Sequence, residues 1–144
     1  MLLVDDSIVR GTTSEQIIDM AREVGASKVY FASAAPPVRH PNVYGIDMPA
    51  VDEFIANGKS VEEINTTIGS DKLFYQRLDD LEEVTGHKET NIDGFDSSCF
   101  NGEYVTGDIT QAYLDKLRDE RNDASKQEKF VGDEQGIDMH NDQA

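Results

Sequence analysis

Residues Asp5 to Thr13, DDSIVRGTT, place two adjacent carboxylates a few positions before a Gly-Thr-Thr run. Neighbouring carboxylates suit a polyol, because each accepts hydrogen bonds from adjacent hydroxyls. As hard oxygen ligands, Asp5 and Asp6 also suit Mg²⁺, bound directly or through water. The residues after them suit a phosphate. Gly11 lets the backbone turn sharply and approach a ligand closely. The amides of Arg10 to Thr13 fall at a helix start, where the dipole favours negative charge. Ser7, Thr12 and Thr13 add hydroxyl donors, and Arg10 adds a cation. Sugar-binding acids at one end and a phosphate cradle at the other match a ribose 5-phosphate. Each half alone is weak, since an acidic pair often marks a solvated loop and Gly-Thr is a common helix start. The ordered combination is much rarer.

That combination needs a strand before it and a helix after it. Leu2, Leu3 and Val4 form a short apolar run, read as a buried parallel-type strand. In open α/β sheets ligands bind beyond the strand ends, which is where Asp5 and Asp6 fall. A helix over Thr12 to Val24 comes next, with Ile17, Ile18, Met20, Ala21 and Val24 as its apolar side and Gly25 to stop it. Lys28 to Ala35 is a second strand, completing a βαβ unit. Pro36, Pro37 and Pro41 then forbid regular structure, and Val43 to Asp47 reads as a further short strand. Short amphipathic helices are expected near Ala50 to Asn57 and Ser60 to Ile68, the second capped by Ser60 with Glu63. Leu73 to Tyr75 reads as a strand and Leu78 to Val84 as a helix. The Asn-Gly pair within Phe95 to Val105 signals a turn or hairpin, and Ile109 to Arg121 a last helix with a Tyr113, Leu114, Leu117 stripe.

The bulk numbers narrow the function classes. Thirteen Lys and Arg against 29 Asp and Glu give a formal net charge of -16. A field of that sign repels a phosphate backbone and argues against nucleic-acid binding, but a local cradle of amides overrides it for a small ligand. The single cysteine, Cys99, allows no disulfide within the chain, which fits a reducing cytoplasm. No apolar run approaches the roughly 18 residues of a membrane span. Asn122 to Ala144 is acidic and poor in apolar residues, and is expected to be disordered.

The Asp5 to Thr13 segment resembles the signature of type I phosphoribosyltransferases, which bind 5-phosphoribosyl 1-pyrophosphate (PRPP). The likeness extends to AAPPVRHPNVYGIDMP and CFNGEYVT, which resemble the C-terminal part of the amidophosphoribosyltransferase (glutamine PRPP amidotransferase) family. The resemblance implies a partial type I phosphoribosyltransferase fold, α/β with a parallel βαβ sheet over residues 1–50. A helical region over 51–121, with short helices, the hairpin and the last helix, would come next, and then the tail, 122–144. It also implies an enzyme of purine biosynthesis, forming phosphoribosylamine from PRPP and glutamine-derived ammonia. Asp5 and Asp6 would bind the ribose hydroxyls and the Mg²⁺ carried with PRPP. Ser7, Ile8, Val9, Arg10, Gly11, Thr12 and Thr13 would bind the 5-phosphate. Ammonia is itself the nucleophile, so neither aspartate needs an acid–base role.

The chain also departs from the family pattern. Its first residue is Met rather than the family's nucleophilic cysteine, and the glutaminase and pyrophosphate-binding segments are not in it. The resemblance therefore implies a piece that is inactive alone, whose first strand is central in a larger sheet, and whose parent forms homo-oligomers. Some members hold an iron–sulfur cluster through cysteines near the positions of Asn42, Asp96 and Cys99. Only Cys99 is a thiol here, so no cluster is expected, and Cys99 reads as a small packed residue. His40, His87 and His140 show no metal-ligand spacing. Arg39 and Tyr44 are open between a site and a structural role. A PRPP-sensing module without catalysis is the competing reading, but no helix-turn-helix or basic surface supports it.

Overall fold

The computed structural model describes residues 1–86 and 94–123. Three strands, β1 (Leu2–Asp5), β2 (Tyr30–Ser33) and β3 (Lys72–Tyr75), form one sheet in the order β1-β2-β3. All neighbours are parallel, with Leu3, Phe31 and Leu73 in one register row and Val4, Ala32 and Phe74 in the next. β1 and β2 are joined through helix α1 (Thr12–Glu23), which is the βαβ unit expected from the apolar pattern.

The second strand is shorter than the apolar run that suggested it. The Val29 amide is taken by the Asp71 carboxylate at 2.8 Å, and the Ser33 hydroxyl donates to the Ala35 carbonyl at 2.8 Å, so side chains take part in the bonding at both ends of the strand. Helix α2 (Val61–Ile68) has the expected capping box. The Glu63 amide donates to Ser60 Oγ at 3.2 Å, and the Ser60 amide to Glu63 Oε2 at 2.7 Å. Helix α3 (Leu78–Val84) also falls where it was read. The helix expected near residues 50–57 is only a 3-10 turn over Val51–Glu53.

Two further expectations are corrected. The strand over Val43 to Asp47 does not form. The Asn42 side-chain carbonyl accepts the amides of Tyr44 at 2.9 Å and Ile46 at 3.0 Å, curling that stretch around itself. The hairpin over Phe95 to Val105 is instead a single helical turn, α4 (Ser98–Asn101). Gly102 closes it in the left-handed conformation, φ 76°, with its amide on the Ser98 carbonyl at 2.9 Å. The Asn-Gly pair supplies a helix C-cap here, which uses the same positive φ as a hairpin turn.

The last helix, α5, covers residues 111–123. Its Arg121 guanidinium reaches the Asn42 carbonyl at 3.3 Å, and Asn122 reaches Asp52 at 3.0 Å. The tail beyond residue 123, His87 and His140 lie outside the described residues. Among the described residues no helix is long and apolar enough to cross a membrane.

One core holds the sheet, α1 and α2 together. It comprises Ile8, Ile18, Ala21, Val29, Phe31, Ile55, Ala56, Ile64, Ile68 and Leu73, with Leu3 and Tyr75 against its rim. Residues on both sides of position 50 share it. The opposite face of the sheet carries no helix among the described residues, and Leu2 and Val4 of β1 are 60% and 70% exposed there.

Candidate functional site

β1 delivers Asp5 and Asp6 to the C-terminal edge of the sheet. Their backbone is held by the segment leaving β2: the Ala34 amide donates to the Asp5 carbonyl at 2.9 Å and the Ala35 amide to the Asp6 carbonyl at 2.8 Å. Asp5 Oδ1 accepts the Asp6 amide at 3.0 Å, and Asp6 Oδ1 accepts the Ser7 hydroxyl at 3.1 Å. The two carboxylates thus sit on a backbone held by its neighbour strand, and no ion pair with a cation is formed by either among the described residues.

The loop after them is anchored from beneath. Ile8 is 1% exposed and plugs the core, so that only its backbone is available to a ligand. The Val9 carbonyl accepts the Ile55 amide at 2.8 Å, and Arg10 Nε meets Glu53 Oε2 at 2.8 Å. Gly11 adopts φ 82° and packs against Ile55 so closely that a Cβ would overlap the Ile55 Cδ1 methyl. Among the described residues no side chain caps α1, which leaves the amides of its first turn for a ligand.

A cavity of about 370 Å³ opens over this loop, lined by Asp5 through Ser14 and by Pro49. All nine residues singled out in the sequence border it, and the volume sits at the small end of ligand clefts. Arg10 is placed differently from expectation. Its side chain is engaged by Glu53, so the phosphate-suited part of the cavity is chiefly amides and hydroxyls. Sequence reasoning missed Ser14 and Pro49 on the wall and Glu53 and Ile55 beneath it. Ser14 simply continues the Thr-Thr run, whereas nothing in the sequence signals that residues 53–55 meet residues 9–11.

Among the described residues no three His, Cys, Asp or Glu side chains converge as a metal-binding group. Asp5 and Asp6 are a pair of oxygen donors, which fits a Mg²⁺ whose remaining ligands come from water and a phosphorylated compound. Elsewhere, Asn42, Asp96 and Cys99 do come together. Asn42 Nδ2 donates to Asp96 Oδ2 at 3.2 Å, the Asn42 amide to Met48 Sδ at 3.3 Å, and Cys99 Sγ lies 3.9 Å from that sulfur. One thiol, one thioether, an amide and a carboxylate are not the four-thiolate set of an iron–sulfur cluster. Burial pushes the Cys99 thiol up, with a smaller push from Asp96, against the Asn42 hydrogen bond.

The other candidates are structural. Arg39 donates to the carbonyls of Ala56 and Lys59, clamping residues 56–59. The Tyr44 hydroxyl meets that of Thr106 at 3.0 Å, and its ring meets Tyr104 edge-on at 6.3 Å. His40 packs its ring over Gly102, and burial, then Arg39, lowers its pKa.

The chain is 56% identical to an amidophosphoribosyltransferase of Pasteurella multocida over 142 residues, covering 99% of this chain and 28% of the relative. Its relatives are amidophosphoribosyltransferases. The Escherichia coli amidophosphoribosyltransferase is 55% identical over the same share of both chains, and that of Saccharomyces cerevisiae is 41% identical over 98% of this chain and 27% of its own. The chain therefore spans little more than a quarter of the amidophosphoribosyltransferases it matches. No family profile matches it.

Solved structures agree. The Bacillus subtilis glutamine PRPP amidotransferase complexed with ADP and GMP aligns with a TM-score of 0.65 at 38% identity, over 78% of this chain and 26% of that one. A structure described as the allosteric regulatory enzyme of purine biosynthesis aligns at 0.69 and 40%, over 81% and 25%. The resemblance drawn from DDSIVRGTT and its companions is borne out, and with it the mixed α/β fold of a phosphoribosyltransferase.

Proposed function

We propose that this chain forms the ribose 5-phosphate half of the PRPP site of an amidophosphoribosyltransferase. The single observation carrying this reading is the cavity itself. Its lining includes Asp5 and Asp6 together with the Gly11 turn and the uncapped start of α1. The relatives carry the names amidophosphoribosyltransferase and glutamine PRPP amidotransferase, and the reaction that the resemblance implies is displacement of pyrophosphate from PRPP by ammonia from glutamine, giving 5-phosphoribosylamine at the entry to purine synthesis. In that displacement the C1–O bond to pyrophosphate breaks, a C1–N bond forms, and the surplus proton of the ammonium product passes to solvent.

The residues of this chain contribute position and charge rather than proton transfer. Asp5 and Asp6 accept hydrogen bonds from the ribose hydroxyls, each through the oxygen not already bonded within the loop. They are also the residues that would hold Mg²⁺, which when bound neutralises pyrophosphate charge. The amides from Arg10 to Thr13, with the hydroxyls of Ser7, Thr12 and Thr13, receive the 5-phosphate. Ile8 and Val9 shape the loop through their backbone. The glutaminase and the pyrophosphate-binding elements belong to the part of the relatives that this chain does not span. The complete enzyme would be a cytoplasmic homo-oligomer, and this piece inactive alone.

Calorimetric titration with ribose 5-phosphate and with PRPP, each with Mg²⁺, tests the assignment. Asp5→Asn and Asp6→Asn each remove charge-assisted hydrogen bonds, worth about 1.5–3 kcal/mol, and should weaken binding roughly tenfold or more. Equal binding by wild type and both variants contradicts the reading.

A further inference from the structure

Arg10 is the only cationic residue between Asp5 and Thr13, and it lines the cavity. Its Nε–H is nonetheless given to Glu53 Oε2 at 2.8 Å, and Glu53 is not among the residues of that lining. The ion pair is one of three links between the same two stretches. The Val9 carbonyl accepts the Ile55 amide at 2.8 Å, and the Ile55 Cδ1 methyl fills the space beside Gly11. Those two links are backbone and packing, so they fix the span that Arg10 and Glu53 have to bridge. The stretch bearing Glu53 is held in turn by its own neighbours. Asp52 accepts Asn122 Nδ2 at 3.0 Å, and Arg39 donates to the carbonyls of Ala56 and Lys59. Glu53 is therefore a carboxylate already in place when Arg10 meets it.

An exposed ion pair adds little to stability, but this one sets the charge of a ligand site. A guanidinium released beside the loop would attract any phosphate, because its forked N–H donors match phosphate oxygens. Paired with Glu53 it adds no net charge, and the phosphate is left to fixed amides and hydroxyls. Resting on the reading of the cavity as a ribose 5-phosphate site, we infer that Glu53 is a positioning residue that sets specificity. By holding Arg10 it keeps a free cation out of the phosphate cradle, so that the site selects phosphate attached to ribose over free phosphate. A ligand with both parts gains the contacts of Asp5 and Asp6 together with the cradle. Inorganic phosphate gains the cradle alone, against the field of a chain with formal net charge -16. Freeing Arg10 favours the two ligands unequally. A free phosphate can move to the guanidinium, whereas one attached to a ribose held by Asp5 and Asp6 stays in the cradle.

The test compares the 144-residue chain with Glu53→Gln, which removes the charge and keeps the size of the side chain. Each is titrated calorimetrically with ribose 5-phosphate plus Mg²⁺ and with inorganic phosphate, at low and high salt. Glu53→Gln should bind inorganic phosphate roughly tenfold more tightly at low salt, the scale of one charge-assisted hydrogen bond. That gain should shrink at high salt, as screening requires, and should exceed the gain for ribose 5-phosphate. Glu53→Ala should behave likewise, and adding Arg10→Ala to Glu53→Gln should abolish the phosphate gain. Glu62→Gln makes the same charge change at an exposed position of α2 and should alter neither affinity. A merely structural Glu53 gives the opposite pattern, weaker ribose 5-phosphate binding with no gain for phosphate. That pattern, an unchanged phosphate affinity, a gain that survives Arg10→Ala, or the same gain in Glu62→Gln would each overturn the inference. Failure of the wild-type chain to bind ribose 5-phosphate is a separate result, which overturns the reading of the cavity and the inference with it.

Discussion

Gly11 and Ile55 lie in direct contact, 44 positions apart in sequence, with the space of a residue-11 Cβ occupied by the Ile55 Cδ1 methyl. The turn that starts the phosphate-suited loop is thus held against the core. Gly11 is required twice there, by its φ of 82° and by the proximity of that methyl. Gly11→Ala should destabilise the chain by about 1–3 kcal/mol from backbone conformation alone, with more from the overlap. Ile55→Ala, which empties a buried site, should cost about 2–5 kcal/mol. The double variant should lose less than the sum, by on the order of 0.5–3 kcal/mol. Urea unfolding of the four proteins measures this, and strict additivity would show that the contact carries no strain.

This pair also marks where the sequence stopped being legible. The loop residues, α1 and the Ser60–Glu63 cap could be read because each is decided within a few positions of itself. The contact of Val9 with Ile55 and the Arg10–Glu53 ion pair could not, since no local pattern encodes a partner at that distance. Val43 to Asp47 failed as a strand for a different reason. Its β-forming residues were outcompeted by one buried side chain, Asn42, which gathers two of their amides. The Asn101-Gly102 pair was ambiguous in principle, because a hairpin and a helix C-cap demand the same backbone.

The α2 cap gives a local test. Ser60→Ala removes the acceptor for the Glu63 amide and should cost about 1 kcal/mol. Ser60→Asn should retain most of that stability. Equal losses for the two variants, measured by chemical denaturation, would show that the hydroxyl is not acting as a cap.

Asp71 joins α1 to the sheet, accepting the Val29 amide at 2.8 Å and Arg22 Nη2 at 3.0 Å. The Val29 amide, then Arg22, holds its carboxyl below the usual aspartate range, against an opposing desolvation effect. A carboxyl with a depressed folded pKa contributes stability above its unfolded pKa and loses it as pH falls through the folded value. The stability gap between wild type and Asp71→Ala should therefore hold steady near neutrality and shrink below the ordinary aspartate pKa. A gap that widens on acidification would contradict this.

Cys99 is half-buried beside Met48, and its thiol is raised chiefly by burial. Only the thiolate reacts. Alkylation by iodoacetamide in mildly alkaline buffer should be slower in the folded chain than in urea, with the folded rate rising later with pH. A folded rate equal to the unfolded one across the titration would show an accessible, ordinary thiol.

The function proposed for this chain depends on the loop from Asp5 to Thr13 receiving a ribose 5-phosphate. The most direct measurement is a two-dimensional amide NMR titration of the chain with ribose 5-phosphate and Mg²⁺. The largest shifts should fall on the amides of Gly11, Thr12 and Thr13, with smaller ones at Asp5 to Ser7. Shifts absent from these residues, or concentrated elsewhere in the chain, would contradict it.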